Sequence, residues 1–230
     1  MSGNVFPDTS DVGRDEVPEI LSRVSALLPS NLEMQPNIGS AGFKSESGDM
    51  DLFLDQQQLI DQFGAKDEKT AKQELAKYLQ QTGLQTAVKG RNVYIRMPKS
   101  DGHGFAQVDL MVIPDAAQVA PWHQHGPRGS YEDPEFKGAP IFILMNSIGK
   151  ALGLKFDAFS GRLLRRDNNE VVAGPARDAV AAQLIPGATG DDFNSVKHII
   201  DALASDPLRD SKLAQARDDA ARGLITLPGA

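Results

Sequence analysis

Residues 36–55 read Pro36-Asn37-Ile38-Gly39-Ser40, then eight residues to Gly48, then Asp49-Met50-Asp51-Leu52-Phe53-Leu54-Asp55. The segment Met50–Asp55 (MDLFLD) has the character of a strand, and along a strand residues two apart share a face. Asp49 and Asp51 then project together, while Met50, Leu52 and Leu54 turn toward the core. Two carboxylates side by side repel one another unless a cation lies between them. Mg²⁺, a hard ion usually held by few carboxylates and by substrate phosphates, is the natural partner.

Working outward, Gly39-Ser40 closes a short strand candidate, Glu33–Ile38, at the point where a turn or helix begins. Free backbone N–H groups and a small hydroxyl at such a point suit phosphate oxygens. Ser45–Gly48, with Ser47 and Gly48 at its end, adds further small hydrogen-bonding groups just before the aspartates. Downstream, Asp109 sits mid-strand in Ala106–Ile113 (AQVDLMVI), between Val108 and Leu110. A lone charge there is unfavourable without a partner. If this strand lies beside the Met50 strand, Asp109 completes a triad of carboxylates. Two metal ions on that triad could clamp the attacking and leaving oxygens of an in-line phosphoryl displacement.

Gly-Ser, a short spacer, Asp-hydrophobic-Asp and a later strand Asp together resemble the nucleotidyltransferase superfamily of the DNA polymerase beta type. SGDMDLFL and QVDLMVIP are close to the wording of family-X polymerases. The resemblance covers residues 33–114; a looser similarity, to the nucleotide-selecting subdomain of those enzymes, covers 140–203. It implies an α/β (α+β) fold, a nucleotidyltransferase palm with a mixed sheet plus a mostly helical C-terminal region. The implied reaction moves a nucleoside monophosphate from a ribo- or deoxyribonucleoside triphosphate to a hydroxyl, with release of pyrophosphate. Gly39 and Ser40 would contact the triphosphate, Asp49 and Asp51 would bind both of two Mg²⁺ (or Mn²⁺) ions, and Asp109 the catalytic one. The closest wording points to a nucleic-acid 3′ hydroxyl as acceptor. The chain departs from the family in three ways. Its spacer of eight is shorter than the superfamily's usual range, it leaves no room for separate DNA-gripping domains, and it has no helix-hairpin-helix glycine motif. Transfer to a protein or small molecule is therefore the alternative, and a catalytically silent structural or interaction protein, part of a larger assembly, is the rival of another class.

The composition agrees with a soluble globular protein: 230 residues, 40% hydrophobic, 24% charged. With no cysteine, disulfides, thiolate zinc sites and a cysteine nucleophile are excluded. No apolar run reaches the ~20 residues of a membrane span, and the polar, acidic N-terminus has no signal-peptide order. A cytoplasmic setting and no membrane partner are the expectation. The net charge of −7 argues against a broad non-specific nucleic-acid surface, because such affinity comes from Lys and Arg neutralising phosphates.

The expected organisation is a flexible or draped leader over 1–12, a catalytic domain over 13–138 and a helical C-terminal subdomain over 139–230. Helices are expected at Glu16–Leu28, Lys66–Gln81, Pro140–Leu152, Pro175–Leu184, Asp191–Ser205 and Pro207–Leu224. Leu84–Lys89 and Asn92–Met97 form a hairpin candidate around a Gly-Arg turn. Residues 116–139 are expected to be a long irregular loop, and Lys155–Val172 short strands with turns.

Other residues compete for a role. His123 and His125, with His103, could ligate zinc, although a polar loop with surface histidines is the plainer account; a third account places this loop over the active site. Arg162, Arg165 and Arg166 are the densest basic cluster, but Asp167 and Glu170 follow, as on a solvated hairpin. Arg128 and Lys150 are further candidates for contact with triphosphate. The C-terminal helix, with few large apolar residues, is expected to pack weakly or to meet a partner.

Overall fold

The computed structural model describes residues 5–100, 102–124 and 138–227. The fold is mixed α+β, and the chain divides into two compact units, Met1–Gln124 and His125–Ala230.

The first unit is built on β2 (Met34–Ile38), β4 (Met50–Asp55), β5 (Gln85–Lys89), β6 (Asn92–Pro98) and β7 (Phe105–Ile113), in the order β2-β4-β7-β6-β5. β4 and β7 run parallel and every other pair is antiparallel. Strict alternation sets the faces. Met50, Leu52 and Leu54, Val93, Ile95 and Met97, and Val108, Leu110 and Val112 all turn to one side and are buried. Helix α1 (Val17–Leu27) contributes Ile20 and Val24 to that core, and helix α3 (Glu68–Gln81) contributes Leu75 and Leu79. Each such side chain contributes about 1.5–3 kcal/mol. A one-residue slip of any strand would turn its apolar set to the opposite face, so the core enforces the register.

Local signals agree with these elements. Asp55 ends β4 and caps α2 (Gln56–Phe63), its carboxylate accepting from the N–H groups of Gln57 and Gln58. Asp67 caps α3 in the same way through Thr70 N–H. β5 and β6 close through Gly90-Arg91, with Lys89 opposite Asn92 and Gly90 at φ 60°, as two-residue hairpins require.

Two expectations need correction. Helix α2 lies where no helix was expected, because Gln56–Gln58 is polar and only Leu59, Ile60 and Phe63 mark its inner stripe. Helix α4 (Ala116–His123) occupies the start of the expected loop over 116–139. Its small apolar residues Ala116, Val119 and Ala120 pack on Phe53 and Ile113 across the second face of the sheet. The leader is draped: from Val5 onward Phe6 is buried, Thr9 bridges Phe105, and β1 (Val12–Gly13) pairs with β3 (Glu46–Ser47).

The second unit has helix α5 (Gly138–Lys150), a small antiparallel sheet of β8 (Leu154–Asp157), β9 (Arg162–Arg165) and β10 (Val171–Ala173), then α6 (Arg177–Leu184), α7 (Val196–Ala202) and α8 (Arg209–Ala221). The helix expected at Asp191–Ser205 is broken, since Ser195 restarts the chain as the cap of α7 by accepting from His198 N–H. α8 is not weakly held. It packs on α5, buries Leu213 and Ala216, and carries a buried Lys212 that donates to Asp206 and to the Leu184 carbonyl. A polar anchor substitutes there for the missing large apolar residues.

Candidate active site

In the parallel pair β4–β7, Asp51 stands directly opposite Asp109. Asp49 precedes β4 by one residue and shares the parity of Asp51. In β6, the next strand across, Tyr94 stands opposite Asp109. Asp51, Asp109 and Tyr94 thus form a row across three strands on the face away from the main core.

On the other side of β4, Ile38 of β2 pairs with Asp51, and the chain turns at once through Gly39. Gly39 has φ +74°, and a Cβ there would lie 2.8 Å from Asp51 Oδ2. The turn passes so close to the carboxylate that only glycine fits. Ser40 then opens a tight turn, its carbonyl accepting from the N–H groups of Phe43 and Lys44 at 3.1 and 3.2 Å. The Ser40 hydroxyl donates to Ser47 Oγ at 3.1 Å, and Ser47 is buried. Gly48 is exposed, and a Cβ there would meet Asp11 at 3.8 Å, an ordinary contact.

The electrostatics follow from this crowding. Burial, then Asp49, then Asp109 push the Asp51 carboxyl up to about 7. Burial pushes Asp109 up to about 6. There the Gln107 amide, donating at 2.8 Å, and the Asn92 amide at 3.4 Å pull the other way, while Asp49 raises it further. The Tyr94 phenol is also raised, by burial first and by Asp109 next. Like charges and desolvation act together, which is how a site prepares for a cation.

An all-oxygen set of three carboxylates suits Mg²⁺ or Mn²⁺ by chemistry. As placed, no group of three His, Cys, Asp or Glu side chains among the described residues is arranged to hold an ion. The fit rests on strand register and donor chemistry, and side-chain rotation would have to close the set.

The remaining candidates fall elsewhere. His123 ends α4 half-buried, its ring edge-on to Phe53 with centroids 4.9 Å apart. His103 lies on the exposed turn between β6 and β7. His125 and Arg128 lie outside the described residues. Arg166 is structural, donating to the carbonyls of Leu154 and Asn146; Arg165 pairs with Glu170 across the hairpin, and Arg162 is half-buried in β9. Lys150 stands 4.0 Å from Asp219.

Sequence reasoning missed Gln107, Asn92 and Tyr94. Gln107 had a signal, since it sits two residues before Asp109 on the same face and is polar in an apolar strand. Asn92 and Tyr94 had none, because only register brings them to Asp109.

No family model matches the chain, and no curated protein matches it.

Proposed function

We propose that this chain is a metal-dependent nucleotidyltransferase, with a palm-like first unit, that moves a nucleoside monophosphate from a triphosphate to a hydroxyl and releases pyrophosphate. The observation that carries the reading is the pairing of Asp51 with Asp109 on adjacent parallel strands, beside a Gly39-Ser40 turn that presses on Asp51. Two independent sequence signals, Asp-x-Asp and the later strand Asp, meet at one place only in the folded chain.

In this reading Asp49, Asp51 and Asp109 hold two Mg²⁺ or Mn²⁺ ions, which when bound neutralise the triphosphate and polarise its oxygens. The turn at Gly39-Ser40 offers backbone N–H groups to the phosphates, with Gly48 leaving the approach open; the Ser40 hydroxyl, whose single proton goes to Ser47 Oγ, reaches a phosphate only by turning that proton away from Ser47. Asp109 Oδ1 is engaged by Gln107, whereas among the described residues Oδ2 has only the long contact from Asn92. Oδ2 is thus the oxygen free to receive the proton of the attacking hydroxyl. The acceptor proposed is a nucleic-acid 3′ hydroxyl.

The test is transfer of label from α-labelled NTPs and dNTPs, with Mg²⁺ or Mn²⁺, to DNA, RNA and protein acceptors, with Asp109→Asn in parallel. Transfer that the variant loses supports the reading, and the labelled acceptor names the substrate class. No transfer and no metal-dependent nucleotide binding by the native chain would leave a structural or interaction role.

A further inference from the structure

We propose that the N-terminal segment 5–13 is a positioning strap for the candidate site, acting through Gln107 on Asp109 and through Ser47 on Ser40; this rests on the nucleotidyltransferase reading of those residues. The segment reaches both halves of the site. At its start, the backbone N–H of Val5 donates to Gln107 Oε1 at 2.7 Å, and Gln107 Nε2 donates to Asp109 Oδ1 at 2.8 Å. At its end, Val12 pairs with Ser47, whose Oγ accepts from Ser40.

The direction of the first relay is set by chemistry. A peptide N–H can only donate, so Oε1 of Gln107 is held at Val5 and Nε2 must face Asp109. Gln107 is fully buried and has no water to turn toward. Without the Val5 N–H the buried Oε1 would lose that donor and Gln107 the anchor at its far end, so the amide that donates to Asp109 would no longer be held in place. Groups that orient a ligating carboxylate in this way matter nearly as much as the ligand itself.

Between its two ends the segment is fastened across the end of β6 and the start of β7. Phe6 is buried, Ser10 N–H donates to the Phe105 carbonyl at 2.9 Å, and Asp8 forms an ion pair with Arg96. Lys99 Nζ donates to the Asp11 carbonyl. These contacts lie outside the carboxylate row, so the strap can be altered without touching a ligand.

The experiment compares Val5→Pro, which removes the N–H, with Val5→Ala, which keeps it, and adds Gln107→Met, which keeps the buried volume but not the amide. Direct Mn²⁺ binding is read from the loss of the free-ion paramagnetic signal, and nucleotide transfer is split into kcat and KM, all well below each protein's Tm. The expected result is Mn²⁺ affinity and kcat lower by about tenfold or more in Val5→Pro and Gln107→Met, with KM for the triphosphate little changed and Val5→Ala like the native chain. Val5→Pro binding and turning over like Val5→Ala would overturn the strap while leaving the nucleotidyltransferase reading intact. A native chain that binds no Mn²⁺ and transfers no label would overturn both.

Discussion

Asp51 and Asp109 face each other across a parallel strand pair, and Gly39 approaches Asp51 so closely that a single added carbon would lie 2.8 Å from its Oδ2. One carboxylate is thereby wedged between a second carboxylate and a backbone turn. In the absence of a cation this arrangement is electrostatically unfavourable, and the expected behaviour of the protein follows from that strain.

Asp109→Asn should abolish nucleotide transfer, by about 10²–10⁴-fold if its role is proton acceptance and by more if it also ligates metal. Without metal, the same change should leave the fold intact or raise its stability, because it removes one of the crowded charges. Label transfer and a thermal melt on the same preparations measure the two effects, and a variant that is inactive only because it has unfolded would contradict this expectation.

The pH dependence of stability follows from the raised carboxyls. Below about pH 4, near the ordinary aspartate value, Asp51 and Asp109 are protonated in folded and unfolded chains alike. As pH rises toward about 6 for Asp109 and about 7 for Asp51, the unfolded chain ionises first, so stability falls across that window and levels off above it. The loss is on the order of a few kcal/mol. Calorimetry of the chelator-treated protein should record a Tm that declines from pH 4 to 7, and Asp51→Asn should flatten the decline. Adding Mg²⁺ or Mn²⁺ at pH 7.5 should recover Tm, as any ligand of the folded state does.

Gly39→Ala should damage the site out of proportion to its size. The residue has φ +74°, a conformation that costs a non-glycine residue about 1–3 kcal/mol, and the new methyl group would displace the Asp51 carboxylate. A modest fall in denaturation midpoint should accompany loss of most Mn²⁺ binding. Gly48→Ala, where there is room for the methyl, is the control and should retain binding.

In the second unit, Lys212→Met should destabilise by about 3–5 kcal/mol, because it leaves a buried Asp206 carboxylate without its cation. Lys212 and Asp206 are both almost wholly buried. Urea unfolding followed at probes in each unit would show the loss in the second, and a change below about 1 kcal/mol would place the ion pair among those of little net worth.

Much of the first unit was legible before the structure. Asp49 and Asp51 were placed on one face by strand alternation, Met50, Leu52 and Leu54 on the other, and the hairpin at Gly90 was marked by its turn residues. Helix α4 was not legible, since its alanines and Pro121 resemble a loop until Phe53 and Ile113 provide a surface for the alanines. α8 was misjudged for a related reason, as a lysine reads as solvent-facing until Asp206 and the Leu184 carbonyl surround it.

The sequence by itself determined which residues share a face, because alternation has a period of two and is a property of neighbours along the chain. Only the tertiary structure decided that Asp109 stands opposite Asp51, that Tyr94 joins their row, and that Val5 holds the amide that orients Asp109. Register between distant strands is set by the joint burial of their apolar faces, and no local pattern encodes it.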